Sequence, residues 1–191
     1  VAIHLVTRLH QAGVNIVRFH HLEAHIFPNG LWNGLVSEKN KTSDLTFSAE
    51  AMDRFEWLLS VMAEKGVYAN INLHVNTKWS QIYHLPGWDQ TPKQDKVVSF
   101  MSGTIIQGHK WFASQLLQHT NRYRNNTKFV DDPMVAIVEI SNENSLFGTG
   151  TSDPSVMPPY FTAEVTANFT NWLKRKYSTN TALVSAWNPV N

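Results

Sequence analysis

An Asn-Glu pair, Asn142-Glu143, stands directly after an apolar run of strand length, Met134-Val-Ala-Ile-Val-Glu-Ile140. A carboxylate at the carboxyl end of a buried strand is placed to give and take a proton, because parallel α/β proteins gather their ligands at that end. The near-continuous Val/Ile run reads as a strand covered on both faces. Two further apolar runs end in polar side chains. Val14 to Phe19 closes on Arg18-Phe19-His20-His21, and Val67 to Leu73 closes on Asn72-Leu73-His74. An arginine, histidines, an amide and an acid on one rim are costly to bury unless they pair with one another or with a substrate. Each also has a plainer reading: Glu143 as a helix-capping loop residue, Arg18 as a structural partner of Glu139, and His20 and His74 as hydrogen-bonded core histidines.

The elements that must hold these residues alternate helix and strand. Val1 to Ala12 places Ile3, Leu5, Val6 and Leu9 at helical spacing, and Gly13 is a C-terminal stop. Ser48 caps a stronger helix reaching Lys65, with Met52, Phe55, Leu58, Leu59 and Met62 on one face and Gly66 behind it. Gly103 to Tyr123 carries helical periodicity through Ile106, Trp111, Leu116 and Leu117. Tyr160 to Tyr177 predicts a last amphipathic helix with Phe161, Val165, Phe169, Trp172 and Leu173 inward. This order predicts an α/β fold with a parallel sheet, without an internal repeat. The links at Gly13 and Gly66 are tight, whereas those from His20 to Phe47 and from His74 to Val98 are long. Because the long links all follow strands, they gather on one face. Trp32, Trp79 and Trp88 fall in or beside them, where an aromatic ring with one wet face suits stacking on a sugar. The alternative is that they pin the loops down.

Composition narrows the function classes. The chain has 191 residues, 42% hydrophobic and 16% charged, enough for one domain with a sizeable core. A net charge of +1 gives no electrostatic footprint for nucleic acid. No apolar run reaches the roughly 18 residues of a membrane span, so no membrane partner is expected. The absence of cysteine excludes disulfides, thiol catalysis and thiolate-bound zinc. Asn40-Lys-Thr, Asn125-Asn-Thr and Asn168-Phe-Thr fit the glycosylation pattern, which agrees with a secreted protein without assigning the compartment.

The stretches Gly-Val-Asn-Ile-Val-Arg-Phe-His-His (13 to 21), Gly-Val-Tyr-Ala-Asn-Ile-Asn-Leu-His-Val (66 to 75) and Val-Glu-Ile-Ser-Asn-Glu-Asn-Ser-Leu (138 to 146) carry a family resemblance. So do Asn-Trp-Leu-Lys-Arg-Lys-Tyr (171 to 177) and Ala-Leu-Val-Ser-Ala-Trp-Asn (182 to 188). The chain resembles the clan A glycoside hydrolases and is most similar to family 5 cellulase-like proteins with a (β/α)8 TIM barrel. The resemblance implies that residues 1–191 are a single partial catalytic domain, the N-terminal half of the barrel from about its first to its fourth helix, cut at both ends. It implies that Glu143 is the general acid/base of a retaining two-carboxylate mechanism acting on β-linked saccharides. Asn142 would hold the sugar 2-hydroxyl, Arg18 would lie under the catalytic pair, and His74 would hydrogen-bond the sugar beside the cut. Of His20 and His21, strand alternation lets one point inward.

The same mechanism needs a second carboxylate about 5 to 5.5 Å away, contributed in the family by a later strand. Glu23 and Asp89 lie in loops and Glu139 sits below the rim, so the nucleophile is expected outside this chain, with the missing half of the barrel as its partner. The isolated chain is then expected to be inactive, and no cofactor is called for. Two alternatives remain. A metal-dependent barrel hydrolase could use His20 or His21 with His74 and Glu143, although no closely spaced metal motif is present. A non-catalytic carbohydrate-binding domain is the other.

Overall fold

The structure is a computed structural model that describes residues 1–23, 47–75, 77–91, 95–99, 101–144 and 157–188. Its helices are α1 (Ala2–Gln11), α2 (Ala49–Glu64), α3 (Trp79–Ile82), α4 (Gly103–Leu117), α5 (Pro159–Tyr177) and α6 (Asn180–Trp187). Its strands are β1 (Ile16–Phe19), β2 (Tyr68–Asn72), β3 (Thr120–Asn121), β4 (Thr127–Lys128) and β5 (Val135–Glu139). β1, β2 and β5 form a parallel sheet with β2 in the middle, while β3 and β4 make a small antiparallel pair.

Local chemistry sets these boundaries. The Ser48 hydroxyl accepts from the Ala51 amide at 3.2 Å and satisfies one orphan donor at the start of α2. Gly13 and Gly66 leave α1 and α2 with φ of +80° and +68°, a left-handed turn that costs glycine nothing. These short exits set β1 and β2 side by side, with Arg18 opposite Asn70 and Asn72 opposite Glu139. Met52, Phe55, Leu59 and Met62 of α2 pack with Ala69 and Ile71 of β2 and with Phe112 and Leu116 of α4 in one buried cluster. The expected face of α2 is therefore the observed one.

Several expectations change. β5 is not covered on both faces: Ile137 and Val138 are exposed, because among the described residues only β2 pairs with it. In α4 the buried residues are Ile105, Gly108, Phe112 and Leu116, a stripe displaced from the one through Ile106 and Trp111. That helix also stops at Leu117, and β3 and β4 follow, turning through Asn125 and Asn126 with φ of +55° and +54°. On α5 only Phe161 is buried, and Phe169 and Trp172 are exposed rather than inward. They stack at 5.7 Å on a face that α6, a helix not anticipated from the sequence, partly borders through Trp187.

Candidate active site

The polar network centres on Glu139, the last residue of β5. Its carboxylate accepts from Arg18 Nε and Nη2 at 2.7 Å each, from Asn70 Nδ2 at 2.6 Å and from Asn72 Nδ2 at 2.9 Å. Three strands thus meet on one side chain. Asn70 and Asn72 reach it together because alternate residues of a strand share a face. The two parallel bonds from the planar guanidinium fix its orientation as well as its charge. Arg18 chiefly, helped by Asn70, holds the Glu139 carboxyl down at about 2, and the same contact raises the Arg18 guanidinium above its ordinary value. Glu139 is therefore an ionised anchor with its oxygens occupied.

Arg18 also carries the network up to the rim. Its Nη2 donates to Asn142 Oδ1 at 2.8 Å, and the Asn142 amide donates to the His74 carbonyl at 2.9 Å. Glu143 follows with φ of +54°, and its side chain is 82% exposed. The arrangement holds Asn142 rigidly and presents the neighbouring carboxylate to solvent, where a substrate would arrive. The structural partnership of Arg18 with Glu139 is the observed one.

The histidines are placed differently from one another. His74 is 2% exposed, and its ring packs at 4.0 Å on that of His109 in α4. Among the described residues neither ring nitrogen of His74 has a hydrogen-bond partner. Burial, reinforced by His109 and Lys96, pushes the His74 imidazole down to about 3, and burial pushes His109 down to about 4. His74 is thus not a hydrogen-bonded core histidine; it stands two residues past β2, beyond the reach of strand alternation, and borders a cavity together with Ser141 and Asn144. His20 and His21 meet edge-to-face at 4.3 Å, and His21 adopts φ of +64°. Burial and then His21 lower the His20 imidazole, and Glu23 and Glu139 oppose that shift.

The tryptophans divide as well. Trp79 opens α3 but is 1% exposed, wedged against Gly108 and the His109 and Trp111 rings, and offers no face to a sugar. Trp88 is half-buried, with Lys78 Nζ 5.3 Å above its ring. Trp32 lies outside the described residues. A cavity of 460 Å³ opens between α4 and the turn that bears Glu143, lined by His74, Ile106, His109, Ile140, Ser141 and Asn144, and none of Arg18, Asn70, Asn72 or Glu139 borders it. Among the described residues no three His, Asp or Glu side chains cluster as metal ligands would. Of the other internal acids, Glu23 is buried and accepts from the backbone amides of Val75 and Thr77, whereas Asp89 is exposed. The sequence marks Asn72 only as a strand-end residue and does not mark Asn70. Two amides at alternate positions of an apolar strand are the pattern that would have shown them.

A parallel sheet flanked by helices, with its polar cluster at the carboxyl ends of the strands, defines part of a (β/α)8 barrel, not closed among the described residues. The family model described as Cellulase (glycosyl hydrolase family 5) matches residues 3–152, and the chain belongs to that family. An endo-1,4-beta-mannanase from Rhizomucor miehei is similar in structure, with a TM-score of 0.54 and 15% identity over 91% of this chain and 48% of that one. An endo-beta-1,4-mannanase from Thermotoga petrophila is similar with a TM-score of 0.50 and 15% identity over 89% of this chain and 36% of that one. The chain therefore spans less than half of each, and at this identity the likeness concerns the fold. No curated protein matches it.

Proposed function

We propose that this chain carries the acid/base half of a retaining glycosidase site acting on a β-linked oligo- or polysaccharide, with Glu143 as the proton-transferring carboxyl group. The supporting observation is the chain of contacts from Glu139 through Arg18 to Asn142, which fixes the residue before an exposed carboxylate at the end of β5. Glu143 gives its proton to the departing glycosidic oxygen and later takes one from the incoming water. Asn142, held through its side-chain oxygen by Arg18, has its amide nitrogen left for a sugar hydroxyl. Glu139 cannot double as nucleophile, since displacing Arg18 and two asparagines would cost every bond that organises the rim. The nucleophile comes from the remainder of the barrel, and residues 1–191 alone do not turn over.

The test is Glu143→Ala in the full-length protein. Hydrolysis of polysaccharide falls by about three orders of magnitude or more. Aryl glycosides with very acidic leaving groups keep a larger share of their rate, and added azide restores part of the loss by replacing the water that Glu143 would have activated. β-1,4-mannan, the polymer of both solved relatives, belongs in the assay beside β-glucan. Unchanged polysaccharide hydrolysis in that variant would sink the assignment. The family membership argues against the metal-dependent and non-catalytic alternatives.

A further inference from the structure

Glu143 stands in a backbone conformation that a side chain enters at a cost of about 1 to 3 kcal/mol. Such a conformation persists only where the surroundings impose it. Two contacts reach this turn from the segment before α4. Lys96 Nζ donates to the Asn142 carbonyl at 3.0 Å, and Asn144 Nδ2 donates to Ser99 Oγ at 2.6 Å. They grip the turn on either side of Glu143. The Asn142 carbonyl belongs to the peptide unit whose nitrogen is that of Glu143, so holding this oxygen holds the φ of the acid. Lys96 Nζ is also 3.9 Å from Glu143 Oε2, and the lysine side chain is only 14% exposed.

The segment that bears Lys96 is itself anchored. Val97 and Val98 are buried in the core beneath it. The Asp95 carboxylate accepts from the Ser80 amide and from the Ser80 hydroxyl, at 2.6 Å each, tying the segment to α3. Ser99 Oγ donates in turn to the Lys96 carbonyl at 3.2 Å. The turn at 95–99 is thus a fixed platform, and its one ammonium group is aimed at the acid and the peptide before it.

We infer that Lys96 is a positioning residue for the proton transfer, which fastens the Asn142–Glu143 peptide and keeps the carboxylate of Glu143 oriented toward the leaving group. The inference rests on the reading of Glu143 as the acid/base. A glycoside with a poor leaving group needs the proton in its transition state, whereas a dinitrophenyl glycoside leaves without it. A lysine that acts through Glu143 therefore matters for kcat/KM on the first and not on the second, while the attack of water, which needs the base with either substrate, is read in kcat.

The experiment compares Lys96→Met, Lys96→Gln and Lys96→Arg with Glu143→Gln in the full-length enzyme, on polysaccharide and on a dinitrophenyl glycoside. In Lys96→Met, kcat and kcat/KM on polysaccharide drop roughly tenfold or more with KM little changed, while kcat/KM on the dinitrophenyl glycoside stays within about threefold. Lys96→Arg recovers most of the loss. Lys96→Gln, which keeps a donor without charge, serves in the same comparison if Lys96→Met does not fold. Equal losses in kcat/KM on both substrates, or none on either, overturn the inference for Lys96. If Glu143→Gln itself hydrolyses polysaccharide normally, the assignment of the acid fails first. If Glu143→Gln is inactive and the lysine variants are normal, only Lys96 is wrong.

Discussion

Arg18 on β1 clasps Glu139 on β5 across the intervening β2, through two parallel bonds of 2.7 Å, and spends its remaining reach on Asn142 at 2.8 Å. A strand two places away in the sheet thereby sets the position of a residue at the rim. Lysine cannot reproduce this, because a single ammonium lacks the planar fork that binds both oxygens while a third bond is made. Arg18→Lys in the full-length protein should lower kcat/KM on polysaccharide by roughly a hundredfold, the scale of a misplaced catalytic geometry. Steady-state kinetics measure it, and a loss under about threefold would show that Asn142 and Glu143 are held without Arg18.

Stability should fall on acidification well before the carboxylates titrate. His74 and His109 are buried neutral, with imidazoles lowered from the ordinary 6.5 to about 3 and about 4. A group whose folded pKa is depressed contributes stability that is present above the unfolded value and is lost as pH falls through the folded one. The window therefore opens near pH 6.5 and closes near 3 to 4. Within it each histidine removes at most about 1.4 kcal/mol per pH unit. Glu139, lowered from 4.5 to about 2 by Arg18, extends the loss at the acid end. Asp95 works oppositely, since burial raises its carboxyl above the ordinary 3.8 and protonation relieves it. Urea unfolding between pH 7.5 and 5 should thus show a declining free energy that is flatter in His109→Phe. An identical slope in that variant would mean the ring is hydrated in solution.

Gly108 lies in the middle of α4, where a Cβ would stand 2.5 Å from two ring carbons of Trp79. Trp79 is fully buried and has little room to retreat. Gly108→Ala gains helix propensity, worth about 0.8 to 1 kcal/mol on a free helix. The overpacking works against this and costs about 1 to 3 kcal/mol. The substitution should therefore be net destabilising or at best neutral, with altered tryptophan fluorescence. A clear rise in Tm would mean that α3 shifts freely.

How far the sequence discloses this site depends on whether a residue belongs to a regular element. Arg18, Asn142 and Glu143 follow from apolar runs that end where β1 and β5 end, and Gly13 and Gly66 mark the tight turns that align them. The fold class follows from the same alternation. What escapes lies between elements. Lys96 and Ser99 sit in a linker whose partners are distant in sequence, and no spacing connects them with Glu143. His74 stands two residues past β2, beyond the reach of its alternation. Along α4 the stripe was misplaced because Gly108, which has no side chain to score, is part of the buried face. Asn125 and Asn126 are a legible turn signal, since asparagine tolerates left-handed backbone, and they would have ended that helix earlier.

Trp79 and Trp88 provide a last discrimination, since both come from the long link after β2 and the sequence gives them one reading. Their surroundings differ: Trp79 touches the His109 and Trp111 rings inside the core, whereas Trp88 keeps part of its ring in solvent under Lys78. Removing a buried indole leaves a large cavity, so Trp79→Ala should cost about 3 to 5 kcal/mol, measured by urea unfolding. Its kinetics on the fraction that remains folded should be near normal. Trp88→Ala should be almost neutral for stability, and in the full-length enzyme it should raise KM for polysaccharide several-fold with kcat preserved, because a stacking ring binds ground and transition states alike. If Trp88→Ala leaves KM unchanged, the ring only braces its loop through Lys78, and sugar contacts on this side of the rim come from elsewhere.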